Sequence, residues 1–108
     1  MEKNFEYDPE IDSLCIYDNF DSKKIEGCLV VDNLVFDVTK EGKIMGVEID
    51  NASRFLEIQP EELSNIKEAE IKVDSGRETL YVGFKISLKN GNYKFSYIIP
   101  KKKIKITC

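Results

Sequence analysis

The chain has 108 residues, 42% hydrophobic and 33% charged, with a net charge of −4. A chain of that size buries roughly 65% of its unfolded surface around one core, and this balance excludes both a disordered chain and a helical membrane protein. Its acidity argues against general affinity for nucleic acid or anionic lipid, leaving only local basic patches to consider.

No repeat or Pro/Gly/Ser linker divides residues 1–108, which read as one domain. The first residues, Met1-Glu2-Lys3-Asn4, lack a cationic segment followed by an apolar stretch, so the expected location is the cytoplasm and no membrane contact is expected. Three cysteines, at 15, 28 and 108, make a poor disulfide framework and a poor zinc site. The absence of histidine removes the usual neutral-pH acid/base group and the commonest imidazole ligand. Lys and Glu dominate the charged residues, with 14 Lys and 12 Glu against 2 Arg, a usage compatible with a thermophilic or AT-rich source.

In chain order, Phe5 and Tyr7 precede the turn-like Asp8-Pro9-Glu10-Ile11-Asp12, and Leu14-Cys15-Ile16-Tyr17 alternates after it, which predicts a short hairpin. Asp18 to Lys24 is polar and reads as a loop. Leu34 to Ile49 predicts a second hairpin about Glu41-Gly42, with Val38 facing Met45, Phe36 facing Val47 and Leu34 facing Ile49; a slip of one residue would put Asp37 among these apolar groups. Asp50-Asn51 offers an N-cap for a helical turn over 52–56. Pro60-Glu61-Glu62 starts a second helix, running to about Ile66, with proline first and acids in its first turn.

Glu68 to Asp74 alternates again, with Ala69, Ile71 and Val73 on one face. Thr79 to Ile99 alternates on both sides of Asn90-Gly91, the preferred pair for a two-residue turn, which would set Leu88 against Tyr93, Ile86 against Phe95, Phe84 against Tyr97 and Val82 against Ile99. The opposite face would carry Lys85, Ser87, Lys94 and Ser96. Lys103 to Ile106 alternates well enough for a short terminal edge strand. The expected fold is α+β, mainly β: about six or seven antiparallel strands with one or two short helices around residues 51–66.

The first half carries a composite pattern: Tyr7-Asp8-Pro9-Glu10-Ile11-Asp12-Ser13-Leu14-Cys15-Ile16, then Gly42-Lys43-Ile44-Met45-Gly46-Val47-Glu48-Ile49, then Ala52-Ser53. It resembles the YuzE-like family of small bacterial and archaeal domains of unknown function over residues 5–56, with Cys15 where the family usually has tyrosine. The resemblance implies a compact antiparallel fold with a little helix, no assigned reaction, and an antitoxin-like binding role as a suspicion. It transfers no catalytic residue.

Candidate chemistry is sparse. Asp8, Glu10 and Asp12 imitate the start of a calcium loop, but Ser13 stands where glycine is needed and Asn19 where glutamate is, so a turn held by Asx-type hydrogen bonds is the better account. Asp37, Glu48 and Asp50 could converge on the polar face of the second hairpin, and clustered carboxylates can hold magnesium or raise one another's pKa. A metal-dependent hydrolase would therefore use Asp8, Asp12, Asp37 and Glu48. Solvated outward charges are the simpler account, and no metal or other cofactor is expected.

Ser64-Asn65-Ile66-Lys67 matches a Ser-x-x-Lys spacing without the companion motifs of that chemistry. Cys15 and Cys28 read as small buried hydrophobes, and no Cys-His pair can exist. Lys101, Lys102, Lys103 and Lys105 form a basic cluster near Tyr93, Phe95 and Tyr97 that could bind single-stranded nucleic acid, but the predicted register turns those aromatics inward. Asn51-Ala52-Ser53 fits a glycosylation sequon that a cytoplasmic chain would not use. The expectation is a non-enzymatic protein-interaction module or homodimer, with no catalytic residue.

Overall fold

The computed structural model describes residues 3–18, 25–40 and 43–103, and the side chain of Lys103 is not part of that description. Among the described residues, eight strands form two antiparallel sheets. The first sheet contains β1 (Phe5–Asp8), β2 (Ser13–Tyr17), β3 (Ile25–Val31), β4 (Leu34–Thr39) and β5 (Ile44–Ile49), in the order β1-β2-β5-β4-β3. Two short helices, α1 (Ala52–Leu56) and α2 (Pro60–Leu63), lead to the second sheet, β6 (Glu68–Ser75), β7 (Thr79–Leu88) and β8 (Gly91–Pro100), in sequence order. A 3-10 turn follows at Lys101–Lys103. The expected α+β, mainly β architecture is the one found.

Period-2 alternation decides which face of each strand is dry. Leu14 and Ile16 of β2, Leu34 and Phe36 of β4, and Val47 and Ile49 of β5 are buried. They share one cluster with Ala69 and Ile71 of β6, and with Val82, Phe84 and Ile86 of β7. Leu56 and Leu63 bring the helical segment into the same cluster, so one core serves both sheets. Phe55 of α1 stacks on Tyr97 of β8 with ring centroids 5.7 Å apart, and Tyr97 in turn stacks on Phe84 at 5.6 Å.

Two registers refine the sequence reading. In the second hairpin Leu34 faces Ile49 and Phe36 faces Val47 as expected, but a bulge after Asp37 sets Val38 against Ile44 and leaves Met45 as the extra residue. The Glu41-Gly42 turn lies outside the described residues. In the last hairpin Leu88 pairs with Gly91, so Lys89-Asn90 is the loop. Ile86 then faces Tyr93, Phe84 faces Phe95 and Val82 faces Tyr97. The shift of two residues keeps every side chain on its expected face, which is why hydrophobic pattern alone could not detect it. Gly91 carries φ 155°, a conformation that favours glycine.

β3 has no counterpart in the sequence reading, because the continuous run Cys28-Leu29-Val30-Val31 hides its alternation. The local clue is Asp32-Asn33, a two-residue turn joining Val31 to its partner Leu34, with Asp32 at φ 51°. α2 stops at Leu63 instead of Ile66, because Ser64 Oγ donates to the Pro60 carbonyl and Asn65 Nδ2 to the Glu61 carbonyl, closing the helix with side chains. Lys103 belongs to the 3-10 turn instead of a strand, and the rest of the expected terminal strand, from Ile104 onward, lies outside the described residues. The polar loop expected up to Lys24 is described only as far as Asp18.

Candidate functional site

Three places in the fold gather polar or exposed apolar groups. The first is the β1–β2 turn. Asp8 Oδ1 accepts the Glu10 amide at 3.0 Å, the Asx-type turn expected there. Asp12, at φ 51°, directs its carboxylate across to α1. Its Oδ2 accepts the Ser53 hydroxyl at 2.7 Å, and its Oδ1 accepts the Ser53 amide at 3.1 Å and the Tyr7 hydroxyl at 2.6 Å. The Asp12 carbonyl also accepts the Ala52 amide at 2.9 Å.

Asn51, expected as the helix cap, is itself left-handed and makes no side-chain cap bond, so a residue forty positions upstream fills that role. Burial opposes ionisation of Asp12, but hydrogen bonds from Tyr7 and Ser53 and the positive charge of Arg54 outweigh it, holding the carboxyl below its ordinary range. Tyr7 moves the other way, to about 12, through burial and its bond to Asp12. These bonds occupy the Asp12 carboxylate in holding β1, β2 and α1 together.

The second place is the outer face of the first sheet. Cys15 pairs with Glu48, Glu48 with Val35, and Asp37 with Gly46, which also pairs with Tyr17. Asp37 and Glu48 therefore sit diagonally on adjacent strands, as the sequence suggested, while Asp8 and Asp12 lie in the turn region and do not join them. Cys15 Sγ donates weakly to Glu48 Oε1 at 3.9 Å. A Cβ on Gly46 would meet Tyr17 Cδ1 and the Ile16 carbonyl oxygen at 3.0 Å, so glycine lets the tyrosine ring lie across the strand.

Burial raises the Asp37 carboxyl and the Cys15 thiol above their usual values, and Tyr17 is pushed up to about 12 by burial and its neighbour Cys15. Glu48 is raised by burial, then by Asp50 and Asp37. In all four groups burial is the largest cause of the rise, with neighbouring carboxylates adding to it at Glu48. Among the described residues, no three His, Cys, Asp or Glu side chains are grouped to hold a metal ion. Cys28 departs from expectation: it is buried, as predicted, but it is disulfide-bonded.

The third place is the second sheet. Tyr81 and Ile98 pair directly across β7 and β8 on the outer face, 49% and 70% exposed. A shallow trough of about 210 Å³ lies beside them over Gly83, lined by Glu70, Lys72, Lys85, Lys94 and Ser96. On the inner face Tyr93, Phe95 and Tyr97 pack against the core but stay half-buried. A larger cleft of about 500 Å³ separates the start of β1 from β6, and its lining mixes Lys3, Lys67 and Lys85 with Glu68 and Glu70, giving no convergence of carboxylates.

Of the lysine cluster, Lys101 and Lys102 follow β8, with the Lys101 amide donating to the Glu78 carbonyl at 2.8 Å, while Lys105 lies outside the described residues. Ser64 and Lys67 form no dyad, since the Ser64 hydroxyl bonds Pro60. Sequence reasoning missed Tyr7 and Ser53 as partners of Asp12; the signal available was that all three belong to the composite pattern while being distant in sequence. Tyr81 carried no signal of its own beyond alternation. Among the described residues no helix is long and apolar enough to cross a membrane.

Residues 4–53 match the model of a family described as "Protein of unknown function (DUF2283)". The chain is also 30% identical over 88 residues to a Methanosarcina mazei protein named "Putative hypoxanthine phosphoribosyltransferase", a match spanning 82% of this chain and 70% of that one. No solved structure matches. The chain therefore belongs to the family of this archaeal protein and carries, over residues 4–53, the domain of unknown function DUF2283.

Proposed function

We propose that the protein is a non-enzymatic interaction module of the YuzE-like type, which associates with a protein partner or a second copy through the second sheet. The observation that carries this reading is the outer edge of β8: ten residues long, with no described strand beside it, and apolar on both faces through Ile98 and the row Tyr93, Phe95 and Tyr97. Unpaired strand edges of this length invite strand addition. An antitoxin-like role would be one instance of such association.

The test is light scattering together with capture by a defined candidate partner, comparing the parent chain with Ser96→Pro, which removes one edge amide. Association weakened by that change supports the reading, and association unaffected by it opposes it. A cytoplasmic setting belongs to the same reading, and the Cys28 disulfide weighs against it, since such bonds are rare in reducing compartments.

The name of the archaeal relative favours an enzymatic reading, tested by transfer of a phosphoribosyl group to hypoxanthine; turnover by this chain would displace the interaction module. Heat on titration with magnesium, manganese or calcium would likewise promote a metal-dependent hydrolase, with Asp37 and Glu48 as the neighbouring carboxylates to test first. Salt-sensitive binding of single-stranded RNA would promote the nucleic-acid reading.

A further inference from the structure

Backbone direction along β8 follows from one bond. The Lys101 amide donates to Glu78 across the ladder, and directions alternate residue by residue in an antiparallel pair. The amides and carbonyls of Tyr93, Phe95, Tyr97 and Ile99 therefore point at β7. Those of Asn92, Lys94, Ser96 and Ile98 point away from the sheet. The opposite edge of this sheet is treated differently, because the outward Ala69 carbonyl of β6 accepts Asn4 Nδ2 at 2.7 Å. Asn4 thus guards β6, whereas no described residue guards β8.

The side chains beside that edge specify what fits it. Cross-strand rows on the outer face read Glu70, Lys85, Lys94 and then Asp74, Tyr81, Ile98. The first row ends on two adjacent lysines balanced by one acid, and like charges directly opposite destabilise a sheet. Its missing fourth member is a carboxylate. The second row ends on an exposed isoleucine, whose missing neighbour is apolar. On the inner face Phe95 and Tyr97 ask for apolar neighbours too. A β8–β8 pair with a second copy supplies no acid for Lys94, because β8 has none.

We infer that the β8 edge receives an extended segment of a partner protein, with an acidic side chain beside Lys94 and apolar side chains beside Phe95, Tyr97 and Ile98. Added antiparallel, the segment reads apolar-apolar-x-apolar-acid. This rests on the interaction-module reading and adds the chemistry of its partner.

The probe is a capped eight-residue peptide, Thr-Val-Val-Ser-Val-Glu-Val-Thr, titrated into the full chain beside a version with Lys in place of Glu, while backbone amide shifts are followed by NMR. The acidic peptide is expected to bind on the order of tenfold tighter than the basic one, with shifts confined to β7 and β8. Lys94→Glu should reverse that preference, and Ser96→Pro should abolish binding of both while leaving the β7–β8 bonds intact, since the Ser96 amide faces outward.

Equal binding of both peptides, an unchanged preference in Lys94→Glu, or shifts centred elsewhere overturns the inference. Should neither peptide bind while light scattering reports a dimer that Ser96→Pro dissociates, the inference falls and the interaction module stands on self-pairing. Salt-sensitive binding of oligouridine at the same lysines in place of the peptide also overturns it. A strict monomer that binds no peptide removes both readings together.

Discussion

The two sheets use polar side chains in opposite ways. In the first sheet they are turned to internal ends: Asp12 gathers Tyr7 and Ser53, and Asp37 and Glu48 lie half-buried with raised pKa values. In the second sheet lysines stand on the open face, the regular ladders carry no described bulge, and β8 has no neighbour among the described residues. The comparison teaches that motif polarity and surface polarity answer different demands: the composite pattern of residues 7–53 closes a junction between strands and helix, whereas the exposed Tyr81, Lys94 and Ile98 of the second sheet lie outside it.

The largest expected effect tests whether the two sheets stand or fall together. Phe36→Ala in the first and Phe84→Ala in the second should each cost about 3–5 kcal/mol, because both rings are nearly or fully buried in one cluster. Denaturant unfolding followed by two probes, one per sheet, should show a single coincident transition for both variants. Separate transitions would break the comparison into two independent units.

Next in size is the Asp12 junction. Asp12→Ala should cost about 2–3 kcal/mol, since it strands the Ser53 amide and hydroxyl and the Tyr7 hydroxyl, while Tyr7→Phe should cost about 1 kcal/mol. Thermal or chemical unfolding reads both. Gly46→Ala should cost about 1–2 kcal/mol by forcing the Tyr17 ring and the Ile16 carbonyl apart, with Gly83→Ala, where the nearest atom is 3.6 Å away, costing less.

The smallest effects come from pH, and their signs divide the first sheet itself. Asp12 is lowered in the folded state, so its contribution is present above the unfolded carboxyl pKa of about 3.9 and is lost as pH falls through the lower folded value. Asp37 is raised, so its effect is the reverse: stability present below the unfolded value is lost as pH rises through the folded one. Asp37→Asn should therefore stabilise modestly at neutral pH and not at low pH. Tyr7 behaves as Asp37 does at alkaline pH, with stability present below about 10 and lost as pH rises toward about 12. Urea titrations across the pH range distinguish the three.

The strands were legible where alternation was strict and the partner close in sequence. Leu34 and Phe36 found Ile49 and Val47 because a slip would have buried Asp37. The last hairpin was legible in its faces but not its register, since a shift of two conserves every face. β3 was hidden because Leu29, Val30 and Val31 are all apolar, so inward and outward positions looked alike. The candidate site was legible residue by residue and not as an arrangement. Asp12 read as a turn residue, and nothing local could reveal that its carboxylate caps a helix forty residues later. Likewise the position of β8 at the edge of the described sheet is a property of sheet order, which alternation does not encode.

The most direct measurement is the unfolding free energy of Asp12→Ala against the parent chain at neutral pH, with the m-value recorded alongside. A loss of about 2–3 kcal/mol at unchanged m-value, partly restored in Asp12→Asn, is expected if this carboxylate fastens the first hairpin to α1. An unfolding curve that superimposes on the parent's would contradict it, and would return Asp12 to the residues free for chemistry.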